Sequence, residues 1–198
     1  MAKVDEWSLK RMNIPERLWN STYTEMPEAL HQPVRNYIGK LPEMLRMGTG
    51  FYLHGPSGVG KTSGAVVILK SACERDRWGY YTTVKDLRQA IREEWTFDGE
   101  ASVLARCKEV DILVLDDLAL DDFKNFTFGI GEVEHLVASR AVRSKTTILT
   151  TRLTPDVFRA EYPALLQTMQ GNFVSISCNG INLKEQAAEK LRRELGVR

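Results

Sequence analysis

Residues Gly55 to Thr62 read GPSGVGKT, a full G-x-x-x-x-G-K-[ST] pattern. Each part serves one chemistry, the binding of a polyphosphate. Gly55, Gly58 and Gly60 allow positive φ and close backbone approach to an anion. Along Gly55, Pro56, Ser57, Gly58, Val59, Gly60, Lys61, Thr62 and Ser63, the loop and the start of the following helix aim amides and the helix dipole at the phosphates. Lys61 is expected to reach the β- and γ-phosphates of ATP and assist catalysis, and the Thr62 hydroxyl to take one position on Mg2+. The plainer alternative is a glycine-rich turn with a surface lysine. It is disfavoured because the loop follows the apolar run Phe51-Tyr52-Leu53 and precedes a helix-like stretch, Ser63 to Arg75, the strand–loop–helix setting that the motif requires.

A second constellation stands further on, where the run Ile112-Leu113-Val114-Leu115 ends in Asp116-Asp117. An apolar strand delivering an acidic pair at its C-terminal end is a Walker B feature, and ligands of open α/β sheets bind at that edge. Asp116 is expected to hold Mg2+, through water, and Asp117 to orient or deprotonate an attacking water. A polar turn is the alternative for an isolated acidic pair; the upstream phosphate loop favours the metal reading. Asp121 and Asp122 have no strand to position them and read as solvated loop acids. A third group, Lys85, Arg88, Arg92 and Trp95, combines cations with an aromatic, the pairing that tracks phosphates and stacks bases of single-stranded DNA. Glu93 and Glu94 dilute that charge, so a merely solvated helix face stays open beside the DNA reading.

These residues need a frame, and the alternation of patterns supplies one. Pro27, Pro33 and Pro42 are expected to break the stretch before the first strand into short helical pieces. Trp78 to Thr83 reads as a second strand, Lys85 to Glu94 as a helix with Leu87, Ala90 and Ile91 on one side, and Ala101 to Lys108 as another. Ile112 to Leu115 has the unbroken apolar character of a central parallel strand. Gly131 to Val142 reads as a helix, Thr146 to Thr150 as a strand, and Thr154-Pro155 as an N-cap with proline at the first helical position. Phe173 to Ser177 is a last strand and Asn182 to Leu195 a charged terminal helix. The order implies an α/β fold, a parallel sheet with helices on both faces.

Composition narrows the class. The chain has 198 residues, 43% apolar and 27% charged, with a formal net charge of +1, as expected of one ordinary globular domain. No stretch has membrane-spanning length, and the start, MAKVDEWSLKRM, lacks a signal-peptide core. Cys73, Cys107 and Cys178 are scattered, as are His31, His54 and His135, so neither a disulfide framework nor a zinc site is expected. The expected setting is cytoplasmic, with no membrane partner.

With these motifs in place, the chain resembles the DnaC/DnaI-type helicase loaders and the related IstB-type transposition ATPases, a lidless branch of the AAA+ class. The likeness rests on Asn13-Ile14-Pro15-Glu16-Arg17-Leu18-Trp19, on Val110 to Leu118, and on Glu134 to Arg140 followed by Thr146 to Leu153. It implies an AAA+-like P-loop NTPase with a five-stranded parallel sheet in the order 5-1-4-3-2 and no helical lid. Residues 1–48 would be a leading segment and short helices packed on an ATPase core of residues 49–198, with Ile14 beside the adenine. The implied function is an ATP- and Mg2+-dependent accessory factor of DNA replication, bacterial or phage-encoded in a bacterial host. It would act on a replicative DnaB-type helicase and single-stranded DNA and self-associate with ATP. An IstB-like transposition helper on double-stranded DNA, a P-loop small-molecule kinase and a hydrolysis-poor nucleotide-binding scaffold are the alternatives.

The chain departs from that family at several positions. Arg152 stands where the family has a sensor asparagine, and its role toward phosphate is left open. No arginine lies near Gln167 to Gln170, where the arginine finger is expected; Arg159, Arg140 and Arg143 are on earlier helices. Gly180-Ile181-Asn182-Leu183 lacks the arginine of the element after the last strand. An arginine finger is worth a thousandfold or more in rate, so weak hydrolysis by the isolated chain is expected. Met1 to Met12 is expected to form at most a short helix in place of the loaders' extra N-terminal domain.

Overall fold

In a computed structural model, residues 4–94, 103–119 and 130–195 are described. The chain opens with α1 (Glu6–Arg11), capped by the Asp5 side chain accepting from the Ser8 amide. Helices α2 (Glu28–Gly39) and α3 (Leu41–Met47) lead into β1 (Gly50–His54). Pro33 does not break α2. It leaves one carbonyl of the ladder without its N–H partner, but Leu30, Val34 and Tyr37, at helical spacing, are buried. The Tyr37 hydroxyl also donates to the Thr49 carbonyl at 2.8 Å, so tertiary packing holds the helix through its proline.

The core then alternates: α4 (Lys61–Cys73), β2 (Gly79–Thr83), α5 (Val84–Glu94), α6 (Val103–Glu109), β3 (Ile112–Leu118), α7 (Ile130–Val142), β4 (Thr146–Thr151), α8 (Pro155–Glu161), α9 (Pro163–Met169), β5 (Phe173–Ser177) and α10 (Leu183–Glu194). The strands form one five-stranded sheet in the order β2-β3-β4-β1-β5, every pairing parallel. This is the expected order, counted from the other edge. Helix α4 is buried on nearly all sides, from Ala65 through Leu69 and at Ala72, as befits a helix enclosed by other elements. On its side Leu9, Met12, Ile14, Met26 and Leu30 join Val66 and Leu69 in one apolar cluster. On the other side Leu87, Leu115, Leu136, Phe158 and Leu165 form a second.

Strand β3 runs further than the apolar run alone indicates. Asp116 pairs with Thr83 of β2, and pairing with β4 resumes at Leu118 and Thr151 after an irregularity. The irregularity is Asp117, whose φ of 56° is left-handed. Such a bulge re-aims neighbouring side chains. Here it turns Asp116 inward, 5% exposed, and leaves the Asp117 side chain half-exposed.

Among the described residues no helix is long and apolar enough to cross a membrane.

Candidate nucleotide-binding site

The phosphate loop follows β1 and feeds α4 at the C-terminal edge of the sheet. Gly60 caps that helix with φ of 92°, and a Cβ there would collide with the Glu25 carbonyl. Glycine is therefore required both for conformation and for room. A cleft of about 170 Å3 opens beside the loop, lined by Ser57, Gly58, Gly60, Lys61, Thr62 and Ser63. Gly55 and Pro56 contribute otherwise: their carbonyls accept from Lys61 Nζ at 2.7 and 2.6 Å. The Val59 side chain packs into the core. Burial, against the pull of Asp116 and Asp117, holds the Lys61 ammonium below its usual pKa. A phosphate arriving here would compete with two loop carbonyls for that ammonium.

Opposite the loop stand Asp116, Asp117, Thr150 and Arg152. Asp116 Oδ1 accepts from Thr62 Oγ1 at 2.8 Å and from Thr150 Oγ1 at 2.6 Å. Its Oδ2 accepts from the Tyr81 hydroxyl at 2.6 Å. The same Thr150 hydroxyl accepts from the Asp117 amide at 2.9 Å and so pins the bulge. Burial, then the charge of Asp116, pushes the Tyr81 hydroxyl far above its ordinary pKa, so it stays a donor. Arg152 Nε lies 3.2 Å from Asp117 Oδ1. The position at which a sensor asparagine is expected therefore carries a cation bound to the second acid of the pair.

The residues fit Mg2+. Thr62 Oγ1 and Asp116 Oδ1 are hard oxygen donors side by side, and Mg2+ prefers one or two such ligands supplemented by phosphate oxygens and water. Among the described residues no group of three or more His, Cys, Asp or Glu could hold a metal ion by itself.

Ile14 does not line the cleft. It is 4% exposed within the apolar cluster, and its carbonyl accepts from Trp19 Nε1 at 2.8 Å. Arg17 and Leu18, three and four residues on, line the cleft instead. The leading segment is held at the sheet edge, where Asn13 Nδ2 donates to the Tyr81 carbonyl and the Tyr81 amide to the Met12 carbonyl. Arg17 stands in the Asn13 to Trp19 segment expected by the adenine, whereas Tyr81 and Thr150 are not among the expected site residues. The last two carried a signal: hydroxyls in strands buried on both faces need partners, and an acidic pair on the neighbouring strand supplies one.

Arg140, one of the arginines considered near the site, is fully buried. Its guanidinium donates to Thr147 Oγ1 and to the carbonyls of Cys107, Val110 and Thr146. Arg159 is exposed beside Asp156 on α8, and α9, which contains Gln167, has no basic residue in its last turn. On α5, Lys85 and Arg92 are exposed and Arg88 half-buried, while Leu87 and Ile91 face the core. Trp95, Asp121 and Asp122 lie outside the described residues.

The sheet order, the phosphate loop and the acidic pair at one edge define an AAA+-like P-loop NTPase fold. Comparison with known proteins carries this one step further. Residues 43–167 match the family described as IstB-like ATP binding protein, more than half of the chain. The chain belongs to that family. No curated protein sequence matches it. Among solved structures it is similar to a DnaC helicase loader (TM-score 0.70, 21% identity, 83% of this chain and 100% of that one). A DnaI structure follows at TM-score 0.68, with 18% identity over 86% of this chain and 94% of that one. A replication initiator DnaA bound to AMPPCP and single-stranded DNA has TM-score 0.64 and 17% identity, covering all of this chain and 58% of that one. At such identities the likeness is one of fold.

Proposed function

We propose that this chain is an ATP-dependent assembly factor of DNA replication, one that helps place a replicative helicase on single-stranded DNA and hydrolyses ATP slowly by itself. The observation that carries the nucleotide part is the convergence of Lys61, Thr62, Asp116 and Arg152 on one cleft. In this reading Lys61 and Arg152 bind phosphate, Thr62 and Asp116 hold Mg2+, Arg17 and Leu18 flank the nucleotide, and Asp117 orients the attacking water. Mg2+ bound there would neutralise charge developing on the phosphates. The Asp117–Arg152 pair supports slow turnover, because the group that must engage water is engaged with a cation. The structural likeness to helicase loaders supports the choice of partner.

Co-purification with a DnaB-type helicase, with and without Mg-ATP, tests the reading. Nucleotide-dependent capture that is lost in Lys61→Ala is expected, and absence of capture in either condition would overturn the helicase assignment. The family match favours a second reading, a transposition helper acting on double-stranded DNA. Preference for duplex over single-stranded oligonucleotides in the presence of ATP would select it.

A further inference from the structure

The edge of the sheet opposite the nucleotide cleft carries a second cleft, of about 350 Å3, that no motif marks. It is lined by Arg46, Arg77, Arg143 and Lys145, with Asp111 the acidic side chain among them. These residues come from separate stretches, each shortly before a strand: Arg46 lies in the last turn of α3 ahead of β1, Arg77 precedes β2, Asp111 precedes β3, and Arg143 and Lys145 precede β4. Two of the cations are engaged. Arg143 is chelated by Glu109 at 2.6 and 2.8 Å, and Lys145 donates to the Glu109 carbonyl at 2.9 Å and lies 3.4 Å from Asp111. Arg46 and Arg77 are exposed and make no ion pair among the described residues. The chain's formal charge is only +1, so this gathering of cations is local.

A second observation adjoins it. Asp111 Oδ2 accepts from the Trp78 amide at 3.2 Å, and Trp78 begins an exposed aromatic cluster. The rings of Trp7 and Trp78 meet edge to face at 6.2 Å, and the Arg11 guanidinium lies over both, 3.9 Å from the Trp78 ring centre and 5.1 Å from that of Trp7. Trp7 remains 61% exposed and Trp78 37%. Partly exposed indoles on the same edge as Arg46 and Arg77 offer what single-stranded nucleic acid requires: cations for the backbone and, on Trp7 above all, aromatic surface for unpaired bases.

We propose that this edge, from Arg46 and Arg77 across Asp111 to Trp78 and Trp7, is a binding surface for single-stranded nucleic acid. It deepens the reading of the chain as a factor acting on DNA, and it relocates that contact. Residues 145 and 152 bracket β4, so the surface lies roughly 20 Å from the nucleotide cleft at the rise of an extended strand. DNA bound there leaves the nucleotide cleft open. An acidic protein partner is the competing occupant; the exposed indoles favour the nucleic acid.

The test is fluorescence anisotropy with labelled oligo-dT over a salt series, on the full chain. In Arg46→Glu/Arg77→Glu we expect binding to weaken by about tenfold or more and the slope of log K against log salt to flatten by about 1.4, two contacts at about 0.7 each for a single strand. Trp7→Ala is expected to lower affinity about tenfold, in the range for loss of one base stack. Affinity for ATP and the far-UV circular dichroism should not change, which excludes unfolding as the cause. Undiminished binding by the variants, with Lys85→Ala/Arg92→Ala abolishing it, would overturn the surface while leaving a DNA-acting factor intact. Absence of oligonucleotide binding by the unaltered chain would overturn both. Poly-glutamate bound as tightly as oligo-dT, with Trp7→Ala affecting neither, would assign the edge to an acidic protein.

Discussion

Replacing Arg152 separates two roles that predict opposite signs. In the structure its Nε is 3.2 Å from Asp117 Oδ1, with the two side chains 52% and 54% exposed. At that distance the Coulomb energy in bulk water is about 1.3 kcal/mol, and measured values for such exposed pairs are about 0.2–1 kcal/mol. Releasing Asp117 in Arg152→Ala is therefore worth at most about 1 kcal/mol to its engagement with water, a rise in turnover of no more than about fivefold. If Arg152 instead stabilised charge on the transferred phosphoryl group, as an arginine finger does, its loss would cost a thousandfold or more. We expect the small rise, accompanied by weaker ATP binding as one cation leaves the cleft. The assay is single-turnover hydrolysis at saturating Mg-ATP, with the dissociation constant measured separately. Asp117→Asn should abolish turnover, and adding Arg152→Ala to it should change nothing, since the two act as a unit. A fall of tenfold or more in Arg152→Ala would refute the reasoning and make Arg152 a transition-state contact.

Three other outcomes follow from named contacts. Arg140→Ala strands the carbonyls of Cys107 on α6, of Val110 ahead of β3 and of Thr146 on β4 and should destabilise the chain by about 3–5 kcal/mol, read as a lowered urea midpoint; a loss under about 1 kcal/mol would deny that network its structural role. Tyr81→Phe removes the 2.6 Å donor to Asp116 Oδ2; with two hydroxyls still on Oδ1, we expect a loss of about 1–2 kcal/mol and a larger ratio of ATP affinity with Mg2+ to that without. An unchanged ratio together with unchanged stability would contradict the contact. His54 is held below its ordinary value of 6.5, first by burial and then by the Lys61 charge. The unfolded chain then takes up the proton first, so the stability due to His54 is full above pH 6.5 and is lost as pH falls through the depressed value. Urea midpoints at pH 7.5 and 5.5 should differ more for the unaltered chain than for His54→Gln; equal differences would refute the assignment.

The parts of this molecule that local chemistry dictates were legible in the chain. GPSGVGKT needs its glycines for reasons contained in the loop itself, and Ile112 to Leu115 is apolar throughout because that strand is buried on both faces. What escaped reading depends on partners far away in sequence. Asp116 and Asp117 were visible as a pair, yet not the bulge that divides their work, because a Thr150 hydroxyl 33 residues on pins it. Pro33 reads as a breaker until the Leu30, Val34 and Tyr37 face finds its packing surface. Ile14 stood out in its segment, but the chain turns there so that the isoleucine enters the core and Arg17 meets the cleft. Arg140 is the clearest case. A helix-end arginine ordinarily faces water, and this one is enclosed by carbonyls that converge only when β3 and β4 align. The same alignment places Asp116, Thr150 and Arg152 at one end of those strands and Asp111 and Lys145 at the other. Register between β3 and β4 thus builds the nucleotide cleft and the basic edge together, and Arg140, donating to Thr146 and Thr147 of β4 and to the Val110 carbonyl just ahead of β3, ties the leading ends of the two strands.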